Sequence, residues 1–315
     1  YILEEQMKYG EWLTEWLNNY VKISAKYRTI ERYSEIINNH LIPSVGDMEL
    51  KELTPIILQR YISELLRCGN KRTGNGLSSS AVNSIITVIQ NSLHTAYNLR
   101  YIDDMVGDKL KRPKMVEKQV ECFSLVEQKK IELAVKENAK PHMIGVLICL
   151  YTGLRIGELL ALEWRDIDFS NGTLMVDKTC HYGKNGEGQF TRVVDSPKTE
   201  TSIRLIPLPK QIVPMLKEHK KISSPLVISK NGEGISNRTY QRNFESLLKS
   251  LNIKHRGFHT LRHTFATRAL ECGMDVKTLS ELLGHKSPAV TLKKYAHTFL
   301  IHKKEMMNRL GKLLS

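Results

Sequence analysis

The sequence predicts a mainly α-helical protein of two domains, with a small antiparallel β-sheet in the second. Three observations carry this expectation. Apolar residues recur at helical spacing through residues 1–105. Residues 164–179 alternate around a turn, as strands do. Charge also divides the chain, with net +2 over residues 1–115 and net +12 over residues 116–315. A chain of 315 residues is long enough to bury two cores.

The first helix is expected over residues 11–23, where Trp12, Leu13, Trp16, Leu17 and Tyr20 share one face. Residues 29–40 repeat the pattern with Ile30, Tyr33, Ile36 and Ile37, and Leu41-Ile-Pro-Ser-Val-Gly46 breaks it. Thr54-Pro55 is a helix start, a capping residue followed by proline in the first turn. That helix runs towards Cys68. Residues 69–76 form a polar, glycine-containing loop with Lys71 and Arg72, and a fourth helix covers residues 79–98. Lys-Leu-Lys-Arg-Pro-Lys within residues 109–118 reads as an exposed basic linker carrying Lys111, Arg112 and Lys114.

Beyond residue 124 helices are expected again, one reaching Leu147 and one carrying Arg155. Residues 164–168 and 173–179 flank the turn Ser170-Asn-Gly172 as a β-hairpin, with a third strand over residues 202–208. Residues 181–200 between them read as a long polar excursion. Four helices follow, over residues 238–251, 261–272, 276–283 and 288–297, punctuated by Gly273, Gly284 and Ser287-Pro288.

Composition narrows the function. With 41% hydrophobic and 25% charged residues the chain reads as a soluble globular protein. The net charge of +14 points to a polyanionic partner, although a uniformly basic surface would give the same number. Five scattered cysteines without a Cys-x-x-Cys pair read as reduced thiols in a cytoplasmic protein, not as a disulfide frame or zinc site. The longest apolar run, residues 143–151, is too short to span a bilayer. The chain opens on Tyr1 instead of Met, which leads us to expect a preceding segment.

Six residues suggest a chemistry. Arg155 lies in Thr152-Gly-Leu-Arg-Ile-Gly-Glu158, and His259 and Arg262 lie in Phe258-His-Thr-Leu-Arg-His263. His285 ends Leu282-Leu-Gly-His285, and Tyr295 follows ten residues later in Thr291-Leu-Lys-Lys-Tyr-Ala-His297. Lys198 stands in Pro197-Lys-Thr199. Such a set suits attack on a phosphodiester by a tyrosine hydroxyl, with charge held by arginines. Guanidinium is planar, always charged and bidentate, so two can grip two non-bridging oxygens. Glu158, three residues after Arg155, could orient it or form an ordinary intrahelical pair. A phenol of pKa ~10 is only about 0.1% ionised at neutral pH, so Tyr295 needs a base or a strongly positive site. His259 is the natural acceptor, and Lys293 and Lys294 add positive potential. His255, His263, His297 and His302 read as structural or surface histidines.

These contexts resemble the tyrosine recombinases, also called the phage-integrase family, over residues 115–315, with all six family positions filled in order. The Pro197-Lys-Thr199 segment leading into Ser202-Ile-Arg-Leu-Ile-Pro207 resembles the conjugative-transposon and lambdoid integrase branch. The resemblance implies Arg155, Lys198, His259, Arg262, His285 and Tyr295 as catalytic residues, with Glu158 orienting. Lys198 would protonate the leaving 5′ oxygen, and Lys184 remains an alternative for that role.

The implied fold is a two-domain DNA clamp. A helical core-binding domain (1–108) and a basic linker (109–118) would precede a catalytic domain with a C-terminal tail helix (119–315). Lys71, Arg72, Lys111, Arg112 and Lys114 would contact DNA. The implied partners are double-stranded DNA core sites, three further copies in a tetramer, and an excisionase with DNA-bending proteins. In that tetramer the tail, with Met306, Met307, Leu310 and Leu313, is exchanged between protomers. No metal or other cofactor is expected, and the location would be the bacterial nucleoid. Strand exchange would pass through a 3′-phosphotyrosine and a Holliday junction, releasing a 5′ hydroxyl. An arm-binding domain would precede the bundle in that branch. Two other readings stay open: a DNA-binding protein without cleavage, and a type IB topoisomerase with the same site chemistry.

Overall fold

Four polar side chains mark where helices begin in the computed structural model of the chain. Thr54, Ser78, Ser236 and Asp275 each accept a hydrogen bond from the backbone N–H three residues on, at 3.4, 3.3, 3.2 and 2.9 Å. Each satisfies a donor that the first helical turn leaves without a partner. The structure describes residues 7–115, 120–137, 140–184, 189–196, 200–220, 224–295, 307, 308, 310–312 and 314. The chain divides into two units, Tyr1–Lys118 and Gln119–Ser315.

The first unit is helical. Helix α1 (Tyr9–Trp16) passes through a π turn (Leu17–Val21) into α2 (Lys22–Ser24). Helix α3 (Tyr27–Ile36) passes through a second π turn (Ile37–Leu41) into α4 (Ile42–Val45). The expected break at Leu41 is therefore a change of helical pitch. The wider turn lies just before Pro43, whose ring removes an N–H and crowds the carbonyl four residues back. Helices α5 (Pro55–Cys68) and α6 (Ser79–Asn98) complete the unit.

The apolar stripe of α1 packs on α6, and its polar tips are satisfied there. Tyr9 Oη lies 3.0 Å from Ser92 Oγ, Trp12 Nε1 donates to Ser92 O at 3.1 Å, and Trp16 Nε1 donates to Thr95 Oγ1 at 3.0 Å. Large aromatic area is thus buried without orphaned donors.

The segment expected to be a free linker is partly anchored. Leu110 is buried in this core, and Lys111 N donates to Gln59 Oε1 at 2.9 Å. The Arg112 guanidinium donates to Asn83 O, Thr87 Oγ1 and Gln90 Oε1 of α6 at 3.1, 3.2 and 2.5 Å.

In the second unit, α7 (Leu125–Glu137), α8 (Ile144–Thr152) and α9 (Ile156–Ala161) lead to a three-stranded antiparallel sheet. Its strands β1 (Ile167–Asp168) and β2 (Thr173–Val176) form the hairpin expected from sequence, and a later strand lies on the other side of β2. The polar excursion holds a second antiparallel pair, β3 (Thr179–Lys184) with β4 (Phe190–Asp195), in register Thr179↔Asp195 to Lys184↔Phe190. The third sheet strand, β5 (Arg204–Pro207), pairs with β2 in register Leu174↔Ile206.

Helix α10 (Val213–His219) and the short pair β6 (Ser229–Lys230) and β7 (Glu233–Gly234) follow. Then come α11 (Asn237–Ser250), α12 (His259–Glu271), α13 (Val276–Leu283) and α14 (Pro288–Tyr295). Helix α8 is apolar all round, as its central place in the core requires. No helix among the described residues is long and apolar enough to cross a membrane. All five cysteines are free.

Candidate active site

Two glycine turns and one helix start bring the sequence motifs together. Gly153, at φ 67°, ends α8 and turns the chain into Arg155, the N-cap of α9. Helix α12 opens on His259, so His259 and Arg262 lie within its first turn on one face. Gly284, at φ 61°, ends α13 and aims the chain at His285. Both glycines occupy left-handed backbone that a side chain disfavours.

Arg155, Glu158, His259, Arg262 and His285 line one cleft of about 540 Å³, together with Lys286 and Lys294. Glu158 is the single carboxylate among the described lining residues, against two arginines and two lysines. The field in the cleft therefore favours an anion. Arg262 is 2% exposed, and its Nη1 and Nη2 donate to Gly153 O at 2.8 Å and Leu283 O at 2.6 Å. Arg155 donates through Nη1 to Glu158 Oε1 at 2.7 Å and through Nη2 to Gly284 O at 3.0 Å. A guanidinium has five N–H groups, so each arginine keeps donors beyond the two bonds named.

The titratable groups carry the mark of this field. Burial raises Glu158, but the hydrogen bond and charge of Arg204, and then Arg155, outweigh it and hold the carboxyl at about 2. Burial, followed by Arg262, Lys294 and Arg155, lowers His259 to about 4 and His285 to about 3. Both imidazoles are thus neutral at pH 7. Burial and the neighbouring Arg155 lower Arg262 to about 9, which leaves it cationic at neutral pH. His285 Nδ1 lies 2.7 Å from the buried Thr291 Oγ1. Where that hydroxyl donates, the ring proton sits on Nε2 and is free to serve as a donor.

Tyr295 does not line the cleft among the described residues. It is 1% exposed and packs with Ala266, Leu270, Leu279 and Leu283. Its hydroxyl lies 2.7 Å from His263 Nδ1, and burial pushes it up to about 12. The histidine expected to receive the Tyr295 proton was His259, and the resting hydroxyl instead meets His263, which sequence reasoning had set aside as structural. The signal was available, because His263 follows His259 by four residues and shares its helix face. Their rings stack edge to face with centroids 4.6 Å apart.

Lys198 lies outside the described residues, as does most of the tail with Met306 and Leu313. Lys184 closes β3, and its side chain also lies outside them. Lys71, Arg72, Lys111, Arg112 and Lys114 are exposed on the first unit. Arg204 was missed. Strand alternation turns it inward beside Ile206, and an arginine at an inward position of a strand demands a buried partner. Among the described residues no group of three or more His, Cys, Asp or Glu could hold a metal ion.

Residues 114–300 match the phage integrase family, and residues 8–66 match the N-terminal SAM-like domain of phage integrases. The chain is 29% identical to a tyrosine recombinase XerC-like protein of Caldanaerobacter subterraneus subsp. tengcongensis, over 96% of this chain and 83% of that protein. It is 28% identical to the ICEBs1 integrase of Bacillus subtilis, over 93% and 80% of the two chains. Among solved structures, the Tn1549 transposon integrase in complex with a circular intermediate DNA superposes with a TM-score of 0.80. That match has 21% identity and covers 96% of this chain and 99% of that one. The chain belongs to the phage integrase family and is a tyrosine-type site-specific recombinase, with an N-terminal SAM-like domain and a mainly helical catalytic domain.

Proposed function

We propose that this protein integrates and excises a mobile DNA element by cleaving and rejoining double-stranded DNA through Tyr295. The observation that carries the reading is the joint lining of one cationic cleft by Arg155, His259, Arg262 and His285, with Tyr295 packed behind it. In this reading the two guanidinia grip the non-bridging oxygens of the scissile phosphate. His285 donates a hydrogen bond to the same group. Tyr295 Oη forms a bond to phosphorus as the bond to the 5′ oxygen breaks, giving a 3′-phosphotyrosyl link and a free 5′ hydroxyl. The phenolic proton passes to a histidine on α12. His259 lines the cleft and is the acceptor once the ring has entered it. Lys198, or Lys184 in its place, supplies the proton for the leaving oxygen.

The covalent link conserves the energy of the broken bond, so rejoining to a partner duplex needs no further energy source. Lys71, Arg72, Lys111, Lys114 and Arg112 would meet backbone phosphates of the duplex. Arg112 would do so with a guanidinium already braced on α6. Four copies on two duplexes would exchange strands through a Holliday junction, with the C-terminal tail passed between neighbours and an excisionase and bending proteins assisting. The site of action is then the DNA of the cytoplasm. The ICEBs1 and Tn1549 integrase relatives support the mobile-element reading over a topoisomerase.

The test is a suicide duplex containing the element's own end sequence, nicked beside the crossover so that cleavage is trapped. Wild-type protein should give an SDS-stable protein–DNA band in EDTA, and Tyr295→Phe should give none. Absence of the band on a duplex that the wild type demonstrably binds would sink the catalytic reading.

A further inference from the structure

Three arginines from three different elements hold three successive backbone carbonyls. Arg204 Nε donates to Leu282 O at 2.6 Å, Arg262 Nη2 to Leu283 O at 2.6 Å, and Arg155 Nη2 to Gly284 O at 3.0 Å. These carbonyls close α13, where a helix leaves acceptors without partners and carries partial negative charge. His285 is the next residue. The peptide turn that delivers His285 to the cleft is therefore fixed by the cleft's own arginines and by Arg204.

Arg204 differs from the other two. Its side chain is 6% exposed and it does not line the cleft among the described residues. Its remaining bonds run to Glu158 Oε2 at 2.8 Å, Glu158 Oε1 at 3.2 Å and Ser202 O at 3.0 Å. The same Glu158 Oε1 accepts from Arg155 Nη1. Glu158 thus stands between one arginine that faces the cleft and one that does not. A Cβ on Gly284 would come within 3.0 Å of Arg204 Nη1, so the turn and the guanidinium are in close packing. Ser202, which also lines the cleft, lies four residues after Lys198 in the chain.

We propose that Arg204 is a positioning residue for the phosphate-binding site: it fixes the Glu158 carboxylate and the 282–285 turn so that Arg155, Arg262 and His285 converge on one phosphate. This rests on the reading of the cleft given above. The work requires a fork. A lysine ammonium is a single point charge and cannot span Leu282 O and both oxygens of Glu158 at once. The buried Arg204 and the partly exposed Arg155 share this one carboxylate, which keeps the buried Glu158 ionised. The groups around Glu158 are Arg155 of α9, Arg204 of β5, Arg262 and His259 of α12, and Cys149 of α8, with Thr179 of β3 on the cleft side, and Asp166, Asp177 and Lys178 line a second, small cavity with it.

The experiment compares single-turnover cleavage of the nicked duplex by wild type, Arg204→Lys, and the double variant Arg204→Gln/Glu158→Gln, across pH 5 to 9. Duplex affinity and thermal melting are measured alongside. Cleavage by the wild type shows that the cleft reading holds and licenses the comparison. Arg204→Lys should then bind the duplex as wild type does but cleave about 100-fold more slowly, the scale of a small misplacement of reacting groups. Its rate should also fall at higher pH than the wild-type rate when acidified, because Glu158 has lost its bidentate partner and takes up a proton. The double variant removes both charges together and should fold without that added acid limb, while still cleaving slowly. A wild-type rate and pH profile in Arg204→Lys would overturn the proposal. So would an acid limb that persists in the double variant.

Discussion

The Tyr295 hydroxyl and His263 Nδ1 lie 2.7 Å apart, inside a small core and outside the cationic cleft. Their titration properties match a neutral pair. Burial holds the phenol up at about 12, while burial and then His259 hold the imidazole down at about 4. Both groups are therefore neutral at pH 7, and no proton has passed between them at rest. One turn earlier on the same helix, His259 lines the cleft. In the proposed mechanism the tyrosine is stowed beside one histidine and is presented to the other for cleavage.

Replacing His263 by alanine should loosen that seat. It leaves a buried hydroxyl without a partner, at a cost of about 1–3 kcal/mol to the stowed state. Nitration by tetranitromethane, mapped by mass spectrometry, should modify Tyr295 faster in His263→Ala than in wild type. Covalent complex on a nicked duplex should form severalfold faster in the same variant. Equal nitration rates would mean that packing alone holds the ring.

The two guanidinia of the cleft should resist conservative replacement. Arg155→Lys and Arg262→Lys each keep a charge but lose the fork that, in the proposed mechanism, meets two phosphate oxygens. Cleavage should fall about 100- to 1,000-fold, the range for removal of one preorganised donor. Equilibrium binding of the duplex should change little, because many other phosphate contacts carry it. Single-turnover rates and a filter-binding titration on the same duplex separate the two effects.

Acid should destabilise the chain early. His259, His263 and His285 are held at about 4, 4 and 3 in the fold, against an ordinary 6.5. The unfolded chain therefore binds more protons below pH 6.5, and stability is lost as pH falls through that value towards 4. Glu158, held at about 2 against 4.5, adds a contribution that is present above 4.5 and is lost as pH falls further. Thermal melts in steps of pH should show a Tm that is level above neutrality and declines steadily below about pH 6.5. A Tm unchanged down to pH 5 would contradict the neutral, buried state of these histidines.

Two glycines separate backbone strain from crowding. Gly153 has φ 67°, and a Cβ there would meet Phe265 Cδ1 at 2.5 Å and Leu283 Cδ2 at 2.9 Å. Gly273 has φ 88° with open space around it. Gly273→Ala should cost about 1 kcal/mol from backbone strain alone. Gly153→Ala should cost about 1–3 kcal/mol more from overpacking. It should also slow cleavage, since Gly153 O holds Arg262. Chemical denaturation of the two variants measures the difference.

Much of this was legible in the chain. Thr54-Pro55 and the apolar faces of residues 55–68 and 79–98 announce α5 and α6, because local capping and a 3.6-residue period survive burial unchanged. Residues 276–283 form the helix expected between Gly273 and Gly284. The β3–β4 pair was not legible. Its residues are polar and glycine-containing, and its order comes from cross-strand register and from Tyr182, whose hydroxyl donates to Gly234 O 52 residues away. The cleft was legible as a set of residues through the resemblance to the tyrosine recombinases, since His259 and Arg262 alone could equally be a structural histidine and a surface arginine. The support behind it was not. Arg204 and His263 act through contacts with Glu158, Leu282 and Tyr295 that only the folded chain brings together.

The most direct measurement identifies the residue that carries the DNA. Covalent complex trapped on the nicked duplex would be digested with protease and nuclease, and the nucleotide-bearing peptide sequenced by mass spectrometry. The account predicts one adduct, a 3′-phosphoryl nucleotide on Tyr295. An adduct on any other side chain, or one joined through a 5′ phosphate, would contradict it.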